Sequence, residues 1–182
     1  VNGERTADGK LFTETDPPAP EDAYARSKTE AEEGLRSLAA TTGLEVVIIR
    51  PPLVYGPGVK GNFAGLMQLV ERGWSLPLGA VNNRRSLIGL DNLVDFIDVC
   101  VDHPAAGNQT FLVTDGEDLS TTDLLRRLGQ AMDKPARLIP VPMSVLKFGA
   151  RLLGKQAMAK RLCGNLQVDI SQARKVLGWE HP

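Results

Sequence analysis

Leu44-Glu45-Val46-Val47-Ile48-Ile49 is the stretch that decides the fold. Its four consecutive β-branched residues predict a strand buried on both faces, as in a parallel sheet. The preceding residues predict a helix that begins near residues 20–22 and stops at Gly43. Arg50-Pro51-Pro52 ends the strand, because proline has no backbone N–H to donate to a ladder. A helix followed directly by a buried strand is typical of an α/β fold.

Helices and short strands alternate along the rest of the chain. Asp91 is predicted to cap one helix, and Ser120 begins another through a capping box that ends at Asp123. The stripe of apolar residues over 143–153 predicts a helix that faces the core or a lobe interface. The predicted elements are helices over 62–72, 91–103, 120–132 and 143–153, a last short helix that begins at 169–171, and strands over 86–89 and 110–113.

This pattern predicts an α/β chain that forms the tail of a doubly wound sheet joined to a small mixed α/β lobe. Residues 1–60 are expected to form the tail of that sheet. Residues 61–182 are expected to form mainly the lobe, with 91–115 as the part that can return to the main sheet.

Composition restricts the function classes. The 182 residues carry a net charge of −1 with 42% apolar residues, so we expect a globular domain that binds neither nucleic acid nor a membrane surface. Two isolated cysteines and two isolated histidines form no metal-binding pattern, so no metal site is expected. No apolar run reaches transmembrane length, and the cytoplasm is the simplest compartment.

Tyr24 and Lys28 lie four positions apart at the beginning of the first predicted helix, and therefore share one of its faces. A phenol is a poor base at neutral pH because its pKa is about 10. A neighbouring ammonium stabilises the phenolate, and an oxidised nicotinamide would add a second positive charge. Such a pair can exchange a proton with a sugar hydroxyl while hydride passes to the nicotinamide. On spacing alone, a chance pairing of two common residues is a comparable interpretation.

Gly56, Gly58 and Gly61 reproduce the spacing of a dinucleotide-binding turn. We reject that interpretation, because Pro57 removes a backbone N–H where a phosphate needs donors. No acidic residue follows at the distance of about 20 residues where a ribose ligand is expected. The segment is predicted to be a turn-rich loop.

Several motifs follow one another in a characteristic order. They are Val1-Asn2-Gly3-Glu4, Thr13-Glu14-Thr15-Asp16-Pro17, Tyr24 to Lys28, Arg50-Pro51-Pro52-Leu53-Val54-Tyr55-Gly56-Pro57-Gly58, Arg84-Arg85-Ser86-Leu87-Ile88, Asp91-Asn92-Leu93-Val94 and Leu177-Gly178-Trp179. This order resembles the extended short-chain dehydrogenase/reductases, specifically the NAD-dependent epimerase/dehydratase family that acts on nucleotide sugars. The resemblance covers nearly the whole chain. It implies that the chain is the C-terminal part of a doubly wound Rossmann-type fold, in which residues 1–60 are the tail of the NAD-binding domain and residues 61–182 are mainly a small mixed α/β substrate-binding lobe. It implies a 4-epimerase of UDP-hexose or UDP-N-acetylhexosamine that uses NAD or NADP.

The resemblance also implies roles for single residues. Tyr24 matches the catalytic base, and Lys28 matches the lysine that lowers the tyrosine pKa and bonds the nicotinamide ribose. Pro51 matches the segment that packs against the nicotinamide, so Tyr24, Lys28 and Pro51 are the expected cofactor-binding residues. Without the resemblance, Pro51 is simply a strand terminator.

Three further residues match positions that bind the substrate. Asn62 corresponds to an asparagine that contacts substrate at the beginning of a helix, and Arg85 to an arginine that binds the diphosphate. Arg161 aligns more loosely with a second such arginine. From the residues alone, Asn62 could equally be a helix cap, and the two arginines solvated charges.

The family's glycine-rich turn and catalytic Ser or Thr would precede Val1, so the chain is expected to be a C-terminal fragment that binds no dinucleotide by itself. Leu53 stands where the best-known hexose 4-epimerases carry Asn, which leaves a nucleotide 4-keto-sugar reductase as an alternative. A non-catalytic, dinucleotide-sensing member of the family is a further alternative. The resemblance implies a homodimer through the helices over 20–43 and 62–72.

Overall fold

The computed structural model describes residues 2–59 and 61–181; the side chain of Asn62 lies outside that description. Seven helices and five strands occur in these residues. The helices are α1 Ala23–Thr42, α2 Asn62–Glu71, α3 Leu90–Asp102, α4 Thr121–Ala131, α5 Met143–Leu152, α6 Gln156–Cys163 and α7 Ser171–Leu177. The strands are β1 Ile48–Arg50, β2 Leu53–Tyr55, β3 Arg85–Gly89, β4 Thr110–Leu112 and β5 Asp118–Leu119. The predicted α/β class is confirmed.

Helix α1 has the ends that the sequence predicts. The Asp22 carboxylate accepts a hydrogen bond from the Ala25 N–H at 2.7 Å, and Gly43 ends the helix in the left-handed region at φ 74°. The strand after it is shorter than predicted. Strand β1 begins only at Ile48, because its partner β4 has three residues and the parallel pairing extends no further. The Val46 N–H bonds instead to the Asn108 side chain.

The chain passes from one sheet to another at Pro51-Pro52. Strands β1 and β4 pair in parallel, whereas β2, β3 and β5 form a second sheet in which β2 and β3 are parallel and β3 and β5 antiparallel. The prediction that the strand ends at Arg50-Pro51-Pro52 is confirmed, since β1 ends at Arg50; strand β2, which the sequence did not predict, begins two residues later. The prolines stand where neither ladder requires a donor.

Two hydrophobic cores lie on either side of β3. Leu87 packs with α2 and α4 in the first core, and Ile88 packs with Phe96 and Phe111 in the second. Successive strand side chains point to opposite faces, so one short strand contributes to both cores. The second core also includes Trp179, whose ring lies 4.9 Å from that of Phe96.

Helix α3 is capped differently from the prediction. It begins at Leu90, so Asp91 lies within its first turn and is not the N-cap. The carboxylate of Asp115, which follows β4, accepts hydrogen bonds from the Gly89 N–H at 3.0 Å and from the Asn92 side chain at 2.7 Å. The beginning of α3 is therefore capped by Asp115, and Asp91 is not needed as the N-cap. The predicted cap of α4 is confirmed, because Ser120 Oγ accepts from the Asp123 N–H at 3.0 Å.

Helix α5 matches its predicted bounds, but only part of its apolar surface meets the core, where Met143 and Leu146 pack against the first core. No residue of α5 is buried, and Val145, Phe148 and Leu152 are exposed. Helix α6, which the sequence did not predict, packs against α5 after a short connection that contains Gly154. Among the described residues, no helix combines the length and apolarity needed to cross a membrane.

Candidate active site

Helix α1 presents Tyr24 and Lys28 together at its first turns. The Tyr24 side chain is 72% exposed, and the Lys28 ammonium lies 5.6 Å from the centre of its ring. The contact is a cation–π interaction across one turn of helix. The two predicted catalytic residues therefore share a face, and the phenol is open to a ligand.

A nearly buried ion pair fixes that helix face against β1. Glu32, one turn after Lys28, accepts hydrogen bonds from Arg50 Nε at 3.0 and 3.1 Å, and Arg50 Nη1 donates to Asn2 Oδ1 at 2.8 Å. The Arg50 and Glu32 side chains are 9% and 14% exposed. Because the bidentate geometry resists rotation, it holds α1 beside the exposed Pro51 that follows β1.

Arg85, at the beginning of β3, is partly buried beneath α6. Its Nη1 donates to the backbone oxygen of Arg161 and, at 3.2 Å, to that of Gly164. Burial lowers the pKa of the Arg85 guanidinium below its usual range, while the charge of Glu4 opposes that shift. Arg84 is exposed.

Arg161 links α6 to the beginning of the chain. Its guanidinium donates to both carboxylate oxygens of Glu4, at 2.6 and 3.1 Å, and to Asp22 at 3.3 Å. The hydrogen bond to Glu4 raises the pKa of Arg161 above its usual range. In this structure, two carboxylates therefore neutralise the second predicted diphosphate ligand.

The two arginines line one cavity of about 440 Å³. Its walls combine the charge of Arg85 and Arg161 with apolar side chains of α2, α4 and α6. Gly61 and Gly65 also line it, and Asn62 lies between them in the sequence; its side chain is outside the described residues. Tyr24, Lys28 and Pro51 do not line this cavity. The structure thus brings together two of the three predicted substrate ligands, and Asp22, the N-cap of the helix that carries Tyr24, bonds to one of them, Arg161.

Known proteins match this chain over its full length. The family described as NAD dependent epimerase/dehydratase matches residues 2–114. A UDP-glucose 4-epimerase of Vibrio cholerae is 52% identical over 183 residues, which cover 100% of this chain and 56% of that protein. The chain belongs to the NAD-dependent epimerase/dehydratase family.

Two other members of the family show the range of its relatives. An Escherichia coli O157:H7 protein named N-acetyl-alpha-D-glucosaminyl-diphospho-ditrans,octacis-undecaprenol 4-epimerase is 28% identical, over 87% of this chain and 52% of its own. The crystal structure of a Thermotoga maritima UDP-glucose 4-epimerase with UDP-glucose has the same fold, with a TM-score of 0.70 and 23% identity. The match covers 99% of this chain and 54% of the Thermotoga maritima chain. The chain spans about half the length of these relatives.

The family's cofactor can be tested against the glycine turn after β2. A Cβ built on Gly56 would lie 2.8 Å from the Cβ of Leu90, so this glycine is required by packing against α3. That contact supports the rejection of Gly56, Gly58 and Gly61 as a phosphate cradle; Lys60, within that turn, lies outside the described residues. The exposed Tyr24–Lys28 face stays the predicted contact with the nicotinamide.

The sequence did not predict the two glutamates that pair with Arg50 and Arg161 around the candidate site, Glu32 and Glu4. Glu32 continues the four-residue spacing of Tyr24 and Lys28, which is the signal that could have revealed it. Glu4 gave no such signal, because 157 positions separate it from Arg161.

Proposed function

We propose that this chain is the substrate-binding half, with the Tyr–Lys helix, of an NAD-dependent nucleotide-sugar 4-epimerase. The observation that carries the proposal is the shared exposed face of Tyr24 and Lys28. The cavity that contains Arg85 and Arg161 supports it, as does the identity of 52% to a UDP-glucose 4-epimerase.

We also propose a division of the chain into two parts. Residues 1–60, together with the segment 91–115 that returns to the main sheet, form the tail of the NAD-binding domain, and residues 61–182 form mainly the substrate lobe. The parallel pairing of β1 with β4 supports the return of that segment.

In the proposed reaction, the Tyr24 oxygen takes the proton of the sugar hydroxyl. Tyr24 must be a phenolate to accept this proton, and the Lys28 ammonium stabilises that phenolate; Lys28 would also donate a hydrogen bond to the nicotinamide ribose. NAD, when bound, supplies the hydride acceptor. Pro51 packs against the nicotinamide and limits its position.

Arg85 and Arg161 would bind the substrate diphosphate, with Asn62 as a further contact. A guanidinium can bond two phosphate oxygens at once, which an ammonium cannot do. Arg85 uses only Nη1 for its backbone contacts, which leaves Nη2 for the substrate. Arg161 would exchange Glu4 and Asp22 for the diphosphate, so substrate binding would release the beginning of the chain from α6.

The chemistry is tested by Tyr24→Phe in the intact enzyme. Loss of general acid–base catalysis costs about 10²–10⁴-fold in rate, and turnover of UDP-glucose should fall accordingly. Tyr55→Phe is the matched control, because that phenol donates to Asp115 at 2.7 Å and should leave turnover nearly unchanged. Near-normal turnover by Tyr24→Phe would contradict the proposal. Net consumption of NADH would indicate the 4-keto-sugar reductase instead.

Substrate binding is tested by a neighbouring pair of variants. Arg85→Ala should weaken UDP binding about ten- to a hundredfold, because hydrogen bonds to charged groups contribute about 1.5–3 kcal/mol. Arg84→Ala keeps the cavity intact and should change the affinity little. Calorimetric titration of both variants decides the assignment, and the reverse order of effects would refute it.

A second candidate substrate carries its sugar diphosphate on a lipid. Met158 lines the cavity and is exposed, and it lies on α6, which packs beside α5 and its exposed apolar side chains. The Escherichia coli relative is named for an undecaprenol-linked sugar. Comparison of turnover with UDP-N-acetylglucosamine and with a short polyprenyl-diphosphate sugar separates the two candidates.

Two proposals concern the whole enzyme. We propose a cytoplasmic homodimer that assembles through α1 and α2, since Leu35 and Leu38 leave an apolar area exposed on α1. Sedimentation at micromolar concentration should show a dimer that Leu35→Glu dissociates. A monomer under those conditions would contradict this assembly.

A further inference from the structure

The hairpin of α5 and α6 is more basic than the chain as a whole. Residues 134–168 contain seven lysines and arginines and no aspartate or glutamate, although the whole chain has a net charge of −1. Among the described residues, Lys147, Arg151, Lys155 and Lys160 form no ion pair; of the hairpin's cations, only Arg161 is paired. The expectation that the protein does not bind a membrane surface rests on the net charge of −1. That value sums over the whole chain and therefore conceals the local excess of positive charge in the hairpin.

Large apolar side chains are exposed beside these charges. Phe148, Leu152 and Leu153 are 64%, 72% and 73% exposed. At 100° per residue, Val145, Phe148 and Leu152 form one stripe along α5, with Lys147 and Arg151 along its edge. An exposed apolar stripe bordered by lysine and arginine is the pattern of helices that lie in a membrane interface.

Other exposed helices of the chain lack this combination. Helix α3 also exposes apolar side chains, including Val101, but its thirteen residues contain four aspartates and no lysine or arginine. Helix α1 carries both signs of charge. Of these three parts of the described chain, the hairpin alone combines exposed apolar side chains with an excess of positive charge.

A cavity beside the stripe can accommodate a phosphate group. It has a volume of about 350 Å³ and lies between α5 and α6. Four cationic side chains and no acidic ones line it: Arg5, Lys147, Arg151 and Lys160. The side chains of Lys147 and Arg151 therefore line the cavity as well as the edge of the apolar stripe.

We propose that the α5–α6 hairpin docks the protein onto an anionic phospholipid surface. The exposed apolar side chains enter the interface, and the cationic cavity receives a lipid phosphate. This inference goes beyond the proposed function and does not depend on it. The substrate cavity shares α6 with the docking surface, so its opening would lie close to the membrane.

Vesicle co-flotation of the intact protein tests the proposal, without NAD or nucleotide sugar. We expect binding to vesicles that contain phosphatidylglycerol, no binding to phosphatidylcholine alone, and weaker binding at high salt. Lys147→Gln with Arg151→Gln should reduce partitioning about 25-fold, since each basic residue contributes about a fivefold factor. Phe148→Ser with Leu152→Ser should reduce it at least about tenfold.

Two variants elsewhere on the surface serve as controls. Val101→Ser removes an equally exposed apolar side chain from α3, and Lys175→Gln removes an exposed charge from α7; both should bind vesicles as the unmodified protein does. Failure to bind anionic vesicles, or binding that the hairpin variants leave unchanged, would overturn the proposal. Loss of vesicle binding together with a lower melting temperature or a smaller oligomer in Phe148→Ser with Leu152→Ser would also overturn it, because the rest of the enzyme or a second copy would then cover this face. Activity of Tyr24→Phe is a separate readout, so the two proposals fail independently.

Discussion

Removal of Glu32 should destabilise the protein far more than removal of an exposed ion-pair partner. Glu32→Ala would leave Arg50, whose side chain is 9% exposed, with Asn2 Oδ1 as its remaining side-chain acceptor. Breaking a buried pair from one side costs about 3–5 kcal/mol, and the residual exposure places this case near the lower end, at about 3 kcal/mol. The double variant with Arg50→Ala should cost less than the sum of the single variants, by about 2 kcal/mol.

Equilibrium unfolding in urea measures both quantities. Arg126→Ala is the control, because that arginine pairs with Asp123 at the surface with side chains 59% and 51% exposed. It should change the free energy of unfolding by no more than about 0.5 kcal/mol. In the intact enzyme, Glu32→Ala should also lower turnover about tenfold or more, since the helix face with Tyr24 and Lys28 loses its anchor. Equal stability effects of Glu32→Ala and Arg126→Ala would refute this reasoning.

Three other predictions follow from single contacts. Burial, and then the hydrogen bond to Asp115, raise the pKa of Tyr55 to about 12, so its contribution to stability is complete below about pH 10 and is lost as the pH rises towards 12. Unfolding midpoints at alkaline pH should show a loss of about 1 kcal/mol in the unmodified protein, after allowance for exposure, but not in Tyr55→Phe. Ser120→Ala should cost about 1 kcal/mol by loss of the α4 cap, whereas Ser144→Ala, at an exposed position that caps no helix, should cost little. Burial raises the pKa of both thiols, that of Cys100 to about 11, but Cys163 is only half-buried whereas Cys100 is buried, so a thiol reagent should modify Cys163 first; equal rates would contradict the buried position of Cys100.

The sequence predicted helix ends and long elements well, because their signals are local. Asp22 and Gly43 mark the ends of α1, and Ser120 marks the beginning of α4. Strands β2 and β5 have three and two residues, which is too short for any periodicity to be read. The cap of α3 was misassigned for a different reason, since Asp115 reaches it from the loop after β4.

The same distinction applies to the candidate site. The spacing of Tyr24 and Lys28 predicts a shared helix face, and alternation along an extended strand predicts that Arg84 and Arg85 point apart. The partners of Arg161 could not be predicted, because Glu4 lies at the opposite end of the chain. The exposure of α5 could not be predicted either, because an amphipathic pattern identifies an apolar face but does not indicate whether another element covers it.

The position of β3 between two cores limits how this chain can be recombined with its relatives. Leu87 and Ile88 are adjacent, yet each belongs to a different core. A chimera that takes its substrate lobe from a relative with another sugar preference would have to match both cores at one strand of five residues. Insertion of a single residue into β3 would exchange the two sets of contacts, because side chains alternate along a strand. Changes of substrate preference are therefore more accessible through the side chains of the cavity than through exchange of the whole lobe.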